Sequence, residues 1–194
     1  MAEAPELSGR VAIVTGGSRG VGRGIATRFL EAGAEVVICG RRQPEELPTA
    51  GGHQAVFAEA DVREIDEIDR VIACATERFG RLDVLVNNAG GSPVADAATA
   101  SPRFSESIIR LNLLAPLNFA QRANAVMQQQ ESGGAILNIA SVSGIRPTPG
   151  TAAYGAAKAG LLSLTQTLAV EWAPKARVNA VTAGMIRTEQ AQLH

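Results

Sequence analysis

The sequence predicts an α/β protein with a doubly wound parallel sheet, formed as a single domain over residues 1–194. Three observations carry that expectation. Short β-branched runs alternate with segments of helical period along the chain. The first two runs, Val11–Thr15 and Glu35–Cys39, are separated by enough residues for a helix, and so for a parallel crossover. Composition agrees: 46% of residues are apolar and 19% charged, enough to bury one substantial core.

Val11–Thr15 ends at Gly16, and a helix opens near Gly20 with Ile25, Phe29 and Leu30 on one side and Gly33 as its stop. Between Cys39 and Ala55, the residues Pro44, Pro48 and Gly51–Gly52 leave room for about one helical turn, so this connection is expected to be a loop. A strand at Ala55–Ala58 precedes a helix over Glu64–Phe79, in which Ile65, Ile68, Val71 or Ile72 and Ala75 recur at helical spacing. Leu82–Val86 is the next strand. Pro102 to about Gln130 reads as one long helix bent by Pro116. After Gly133–Gly134 come a strand at Ile136–Ile139, a helix over Ala152–Ala173 stopped by Pro174, and a sixth strand at Arg177–Val181.

Charge and composition exclude several classes. Eighteen Lys and Arg against nineteen Asp and Glu give a formal charge of -1, which argues against nucleic acid and for a small molecule as partner. Apolar runs such as Val11–Val14 fall far short of the roughly 20 residues of a membrane span, and the first residues lack the basic head and apolar run of a secretory signal. Cys39 and Cys74 are the only cysteines, and His53 and His194 stand far apart. Neither a disulfide framework nor a metal site is expected, and a reducing cytoplasm fits best.

Thr15-Gly-Gly-Ser-Arg-Gly-Val-Gly22 lies where the first strand meets the first helix. Glycine there lets the backbone approach a pyrophosphate, whose charge the N–H groups and dipole of the helix start favour. The spacing is Gly-x3-Gly-x-Gly, which by itself is equally an ordinary strand-to-helix turn; its place at the first crossover favours the nucleotide. The end of the second strand, where an acidic residue would hold a free ribose 2′-hydroxyl, reads Cys39-Gly-Arg-Arg42. Arg41, Arg42 and Arg19 suit a 2′-phosphate, so NADP(H) is favoured with NAD(H) as the alternative; solvated surface arginines are the other reading.

Tyr154 and Lys158 stand at i and i+4 near the start of a helix and share one face. Tyr154 is the only tyrosine in the chain, and a neighbouring ammonium favours its phenolate and with it general acid or base work. A packed ring under a solvated amine is the plainer reading of such a pair. Ser141 tilts the choice, because it closes the preceding strand, where doubly wound sheets bind ligands.

Taken in order from Arg10 to Thr188, these motifs resemble the short-chain dehydrogenase/reductase family, and within it the 3-oxoacyl-[acyl-carrier-protein] reductase-like members. The glycine motif is Thr15–Gly22, Asp61-Val62 matches the adenine-side aspartate, Asn87-Asn-Ala-Gly90 matches the structural motif, and Asn112, Ser141, Tyr154 and Lys158 match the catalytic tetrad in order and spacing. The resemblance implies a Rossmann fold and an oxidoreductase moving a hydride between NADP(H) and a carbonyl or secondary alcohol. It implies that Tyr154 exchanges a proton with the substrate oxygen and that Ser141 hydrogen-bonds the same oxygen. Lys158 would hold the nicotinamide ribose and tune Tyr154, and Asn112 would anchor a water leading protons to Lys158. Cofactor contacts are expected from Gly16, Ser18, Arg19, Gly20, Val21 and Gly22, from Arg41 and Arg42, and from Asp61 and Val62. Asn88, Ala89 and Gly90 are expected to add to them, as are Tyr154 and Lys158, and lastly Gly184, Ile186 and Thr188. Standing alone, Asn112 reads as a helix-bend partner beside Pro116 and Ser141 as a cap.

The sequence departs from the family's pattern in two places. Ala183-Gly184 stands where the family has Pro-Gly, which removes a stiffening residue. Family members also run on through a lid helix and a last parallel strand, whereas this sequence stops at His194, so a chain without that lid is expected, as a fragment or a short form. A nucleotide-binding module without turnover is the rival function, and the intact tetrad argues against it. Ser92, Pro93, Val94, Ile145, Arg146 and Met185 are expected around a mostly apolar substrate site. Apolar residues on the two long helices, namely Ile108, Ile109, Leu113 and Leu117 with Leu161, Leu164 and Leu168, exceed what one sheet face needs. With the family's paired helices they imply a homodimer or homotetramer.

Overall fold

A computed structural model describes residues 6–188. The first crossover runs β1 (Val11–Thr15), α1 (Gly20–Glu31), β2 (Glu35–Gly40). The connection that follows carries no helix. It forms a small hairpin, β3 (Thr49–Ala50) with β4 (His53–Gln54), before β5 (Val56–Glu59). Then come α2 (Ile65–Phe79), β6 (Val84–Asn87), α3 (Pro102–Ile109), a π-helical turn over Arg110–Leu114, α4 (Ala115–Gln129), β7 (Gly134–Ser141), a 3-10 turn over Val142–Gly144, α5 (Ala152–Glu171) and β8 (Ala176–Ala183).

All six strands of the main sheet are parallel, in the order β5-β2-β1-β6-β7-β8. The winding therefore reverses between β1 and β6, and a crevice must open at the carboxyl ends of these two strands. Alternation along each strand builds a core on both faces. Ile13, Val37 and Leu85 pack with Ile68, Phe119 and Met127 under α2 and α4, whereas Val14, Ile38 and Val86 pack with Ala26 and Leu30 of α1.

The structure corrects three expectations. The helix from Pro102 is not one α-helix bent at Pro116; it widens into the π turn one residue before α4, and Pro116 sits in the first turn of α4. A proline ring clashes with the carbonyl four residues back, here that of Asn112, and the wider turn relieves the clash. Ile108, Leu161 and Leu168 are buried inside the chain, so the apolar surface left for another subunit is smaller than the sequence pattern indicated, with Leu114 and Val170 as its exposed members. Strands β7 and β8 also run longer than their β-branched centres, because small residues, Gly134, Ala135, Ala140 and Ser141 in β7 and Ala176 and Ala183 in β8, continue the pairing beyond them.

At the amino edge of the sheet, the buried Asp83 accepts from the Val11 N–H at 3.0 Å, from Arg10 at 2.7 Å and from Arg81 at 2.7 and 2.6 Å. Burial by itself raises the Asp83 carboxyl; the Arg81 and Arg10 hydrogen bonds outweigh it and hold the group below its ordinary value of 3.8. The charged form is favoured in the fold, so its stabilisation is complete above that ordinary value and is lost as pH falls through the lower folded one. Asp83→Asn is expected to lower the unfolding free energy at neutral pH by about 2 kcal/mol and to blunt the acid limb, as urea titrations across pH would show.

Candidate active site

The crevice at the reversal of winding is a cleft of about 1020 Å³. Its floor is the end of β1. The Thr15 hydroxyl accepts from the backbone N–H of Asn88 and of Ala89, both at 2.9 Å, and donates to the Val86 carbonyl at 3.3 Å. Asn88 answers by donating its side-chain amide to the Thr15 carbonyl at 2.9 Å. Gly16, at φ +65°, then turns the chain into α1. A Cβ on Gly22 would lie 2.3 Å from the Gly16 carbonyl oxygen and 2.4 Å from the Asn88 amide nitrogen, so this turn closes on glycine alone. Arg19, the residue before α1, makes no side-chain cap, and no acidic side chain sits in the first turn of α1. The start of α1 thus presents backbone donors and positive dipole to an anion.

Every residue expected at the cofactor lines this cleft. Gly16, Ser18, Arg19, Gly20, Val21 and Gly22 form the wall on the α1 side. Arg41 and Arg42 follow β2, Asp61 and Val62 follow β5, and Asn88, Ala89 and Gly90 follow β6. Gly184, Ile186 and Thr188 close the far side after β8. Arg41 and Arg42 are exposed, and neither forms an ion pair with a described residue. Arg63 also lines the cleft and was missed by sequence reasoning, although an arginine two positions after an aspartate on a tight turn is a readable signal. Its guanidinium grips both Asp61 oxygens, which holds the Asp61 carboxyl below its ordinary value. Cys39 lies on the cleft floor, and burial pushes its thiol up to about 12, so it is no nucleophile.

Ser141, Tyr154 and Lys158 meet in the same cleft, under the loop that follows β6. Lys158 is 3% exposed; its ammonium donates to the Ile139 carbonyl at 2.7 Å and stands 5.7 Å from the centre of the Tyr154 ring. Burial lowers it from the ordinary lysine value of 10.5 to about 8. The Ser141 hydroxyl accepts from the Ser143 N–H at 3.2 Å, so it does cap the short turn that follows β7. Among the described residues the Ser141 hydrogen has no acceptor, and the Tyr154 hydroxyl has no partner.

Asn112 lies below the cleft. It is fully buried beneath the Gly90–Gly91 loop and lines no part of the cleft. Its amide donates to the carbonyls of Gly91 at 2.9 Å and Ile108 at 3.0 Å, and its oxygen accepts from the Gly91 N–H at 2.9 Å. A Cβ on Gly90 would lie 2.7 Å from that oxygen and 3.5 Å from the Lys158 nitrogen, so Asn112, Gly90 and Lys158 are stacked without spare room. Val94, Ile145 and Met185, expected around the substrate, are exposed on the loops beyond the cleft wall.

The model of the short chain dehydrogenase family matches residues 10–193. The chain belongs to that family. It is 35% identical over 193 residues to a 3-oxoacyl-[acyl-carrier-protein] reductase of Synechocystis sp., covering 96% of this chain and 78% of that one. It is 36% identical to glucose 1-dehydrogenase 2 of Bacillus subtilis, covering 95% of this chain and 74% of the relative. The structure of Thermoplasma acidophilum aldohexose dehydrogenase superposes with a TM-score of 0.90 at 30% identity, covering 98% of this chain and 72% of that one. The chain is an NAD(P)-dependent oxidoreductase acting on CH–OH groups, built on the Rossmann fold. The residues present fit the dinucleotide: the start of α1 presents backbone donors with no acidic side chain beside them, and the glycine turn that leads into it lines the cleft. No helix among the described residues is long and apolar enough to cross a membrane, and none of their His, Cys, Asp and Glu side chains group as metal ligands.

The buried Lys158 makes a pH prediction. Its folded value lies below its unfolded one, so the unfolded chain binds the extra proton between about 8 and 10.5 and stability rises with pH across that window. Lys158→Met is expected to remove this rise and to be the more stable protein at neutral pH, as chemical unfolding at several pH values would report.

Proposed function

We propose that the chain interconverts a ketone and a secondary alcohol with NADP(H), with Tyr154 exchanging the proton. The observation that carries this reading is the meeting, in one cleft with the glycine turn, of two hydroxyls with spare hydrogens, Ser141 and Tyr154, and the buried Lys158 ammonium. The bound cofactor supplies the hydride. Tyr154 gives a proton to the carbonyl oxygen in reduction and takes it back in oxidation. Ser141 donates to the same oxygen, its lone pair already engaged by the Ser143 N–H. Lys158 holds the nicotinamide ribose and favours the phenolate. Asn112 acts from beneath: its side chain is spent on Gly91 and Ile108, so its carbonyl, which Pro116 cannot bond for want of an N–H, is the group to anchor a water on the path to Lys158.

NADP(H) is favoured over NAD(H) because the end of β2 carries Arg41 and Arg42 and no carboxylate to repel a 2′-phosphate. Arg63 does not compete for that role, being committed to Asp61. The reading also takes the chain as one domain that works in the cytoplasm as a homo-oligomer, with the exposed Leu114 and Val170 as part of the contact.

Two experiments test it. NADPH is expected to bind more tightly than NADH in fluorescence titrations, and Arg41→Ala to erase most of a difference of about tenfold or more. Equal affinities in the parent would remove the cofactor argument. Tyr154→Phe keeps the ring and its packing, so fold and NADPH affinity should survive while ketone reduction falls on the order of 10² to 10⁴. Rates within a few-fold of the parent would make Tyr154 a packing residue only and end the proposed mechanism.

A further inference from the structure

Three polar side chains form a buried chain that the steps above do not use. Asn87 on β6 and Asn138 on β7 face each other in register, and Thr165 lies above them on α5; they are 3%, 1% and 6% exposed. The Asn87 amide donates to the Asn138 oxygen at 2.9 Å and to the Pro116 carbonyl at 3.1 Å. The Asn138 amide donates to the Thr165 hydroxyl at 2.9 Å, and that hydroxyl gives its hydrogen to the Leu161 carbonyl at 2.7 Å. Both ends are backbone carbonyls, which only accept, so the direction of each bond is determined.

The surroundings do not require polar groups. Phe119, Ile136 and Leu168 pack in the core on this face of the sheet, Leu161 is buried one turn before Thr165, and a valine matches the β-branched shape of Thr165. Apolar packing is non-directional and tolerates a small slide of α5 along β7. A chain of hydrogen bonds does not, because any slide leaves a buried donor without its acceptor, at a cost of about 1–3 kcal/mol. Its links fall on the elements that carry the tetrad. Pro116 follows the π turn that contains Asn112. Asn138 precedes Ser141 on β7, and Thr165 lies two turns beyond Lys158 on the inner side of α5.

We propose that Asn138 and Thr165 are positioning residues: their hydrogen bond sets the register of α5 on β7, and thereby the reach of Tyr154 and Lys158 toward Ser141. This rests on the function proposed above. Thr165→Val removes the hydroxyl and keeps the shape; Thr165→Ser keeps the hydroxyl. In Thr165→Val, assayed well below its melting temperature, kcat is expected to fall about tenfold with a displaced pH profile, because small misplacements of reacting groups are costly. Its NADPH affinity by fluorescence should stay within about twofold of the parent. Thr165→Ser should restore both kcat and pH profile. If Thr165→Val does not fold, Thr165→Ala, which removes the same hydroxyl and leaves room for a water at the Asn138 amide, is read in the same way. A folded variant with parental kcat and pH profile, even one that melts lower, overturns the proposal and leaves the chain a packing feature. Tyr154→Phe run in parallel separates the failures: a parental rate there defeats the active-site reading and this inference with it, whereas an inactive Tyr154→Phe beside a parental Thr165→Val defeats the inference alone.

Discussion

At the carboxyl end of β1, one hydroxyl joins the two halves of the sheet. Thr15 accepts from Asn88 and Ala89 and donates to Val86, so the last turn of β1 and the loop leaving β6 cannot move independently. These are the strands between which the winding reverses, so α1 departs to one face and the connection from β6 to the other. The crevice is thus a consequence of topology, and the Thr15 tie fixes its width. Gly22 leaves room for the Asn88 amide that completes the tie, and Gly90 on the same loop covers Asn112 and Lys158. The glycine turn and the tetrad are accordingly parts of one rigid arrangement.

Charge is handled in opposite ways at the two edges of the sheet. Asp83 at the amino edge is surrounded by Arg10, Arg81 and a backbone donor, and its burial is offset by those partners. Lys158 at the carboxyl edge is buried with a carbonyl and an aromatic ring but no carboxylate. An uncompensated buried cation is costly, and that cost lowers its proton affinity to about 8. The first arrangement favours stability. The second sacrifices some stability to keep a cation without a counter-charge beside the Tyr154 ring, the side chain proposed above to exchange the proton.

Much of this was legible in the sequence because both signals were strong. β-branched runs marked the strand centres, and glycine, tyrosine, lysine and serine at strand ends and a helix start marked the cleft. What was not legible has physical causes. The hairpin Thr49–Ala50 with His53–Gln54 is too short to carry a period. The π turn was misread as a proline bend because sequence shows the proline but not how its clash is relieved. Ile108, Leu161 and Leu168 were assigned to an outer seam, and tertiary packing between α3, α5 and the sheet turned them inward. The family pattern placed Asn112 on the right turn but could not show that its amide is consumed by Gly91 and Ile108, because those partners come from folding. Arg63 escaped because its meaning lies in the carboxylate it grips. The expectation that the family's lid is missing concerns residues after Thr188, outside the described ones.

The two sides of the cleft are built to different standards. On the side of the glycine turn, the cleft wall is backbone whose shape depends on a missing Cβ at Gly22, so a side chain there is not tolerated. Beyond Ser141 and Tyr154 the neighbouring loops carry Val94, 81% exposed, Ile145, 66% exposed, and Met185, fully exposed. Those side chains support no core, so changing them leaves the sheet and the Thr15 tie untouched. Changing these loops therefore costs the fold little, whereas a side chain at Gly22 costs it the turn that ties β1 to the loop after β6.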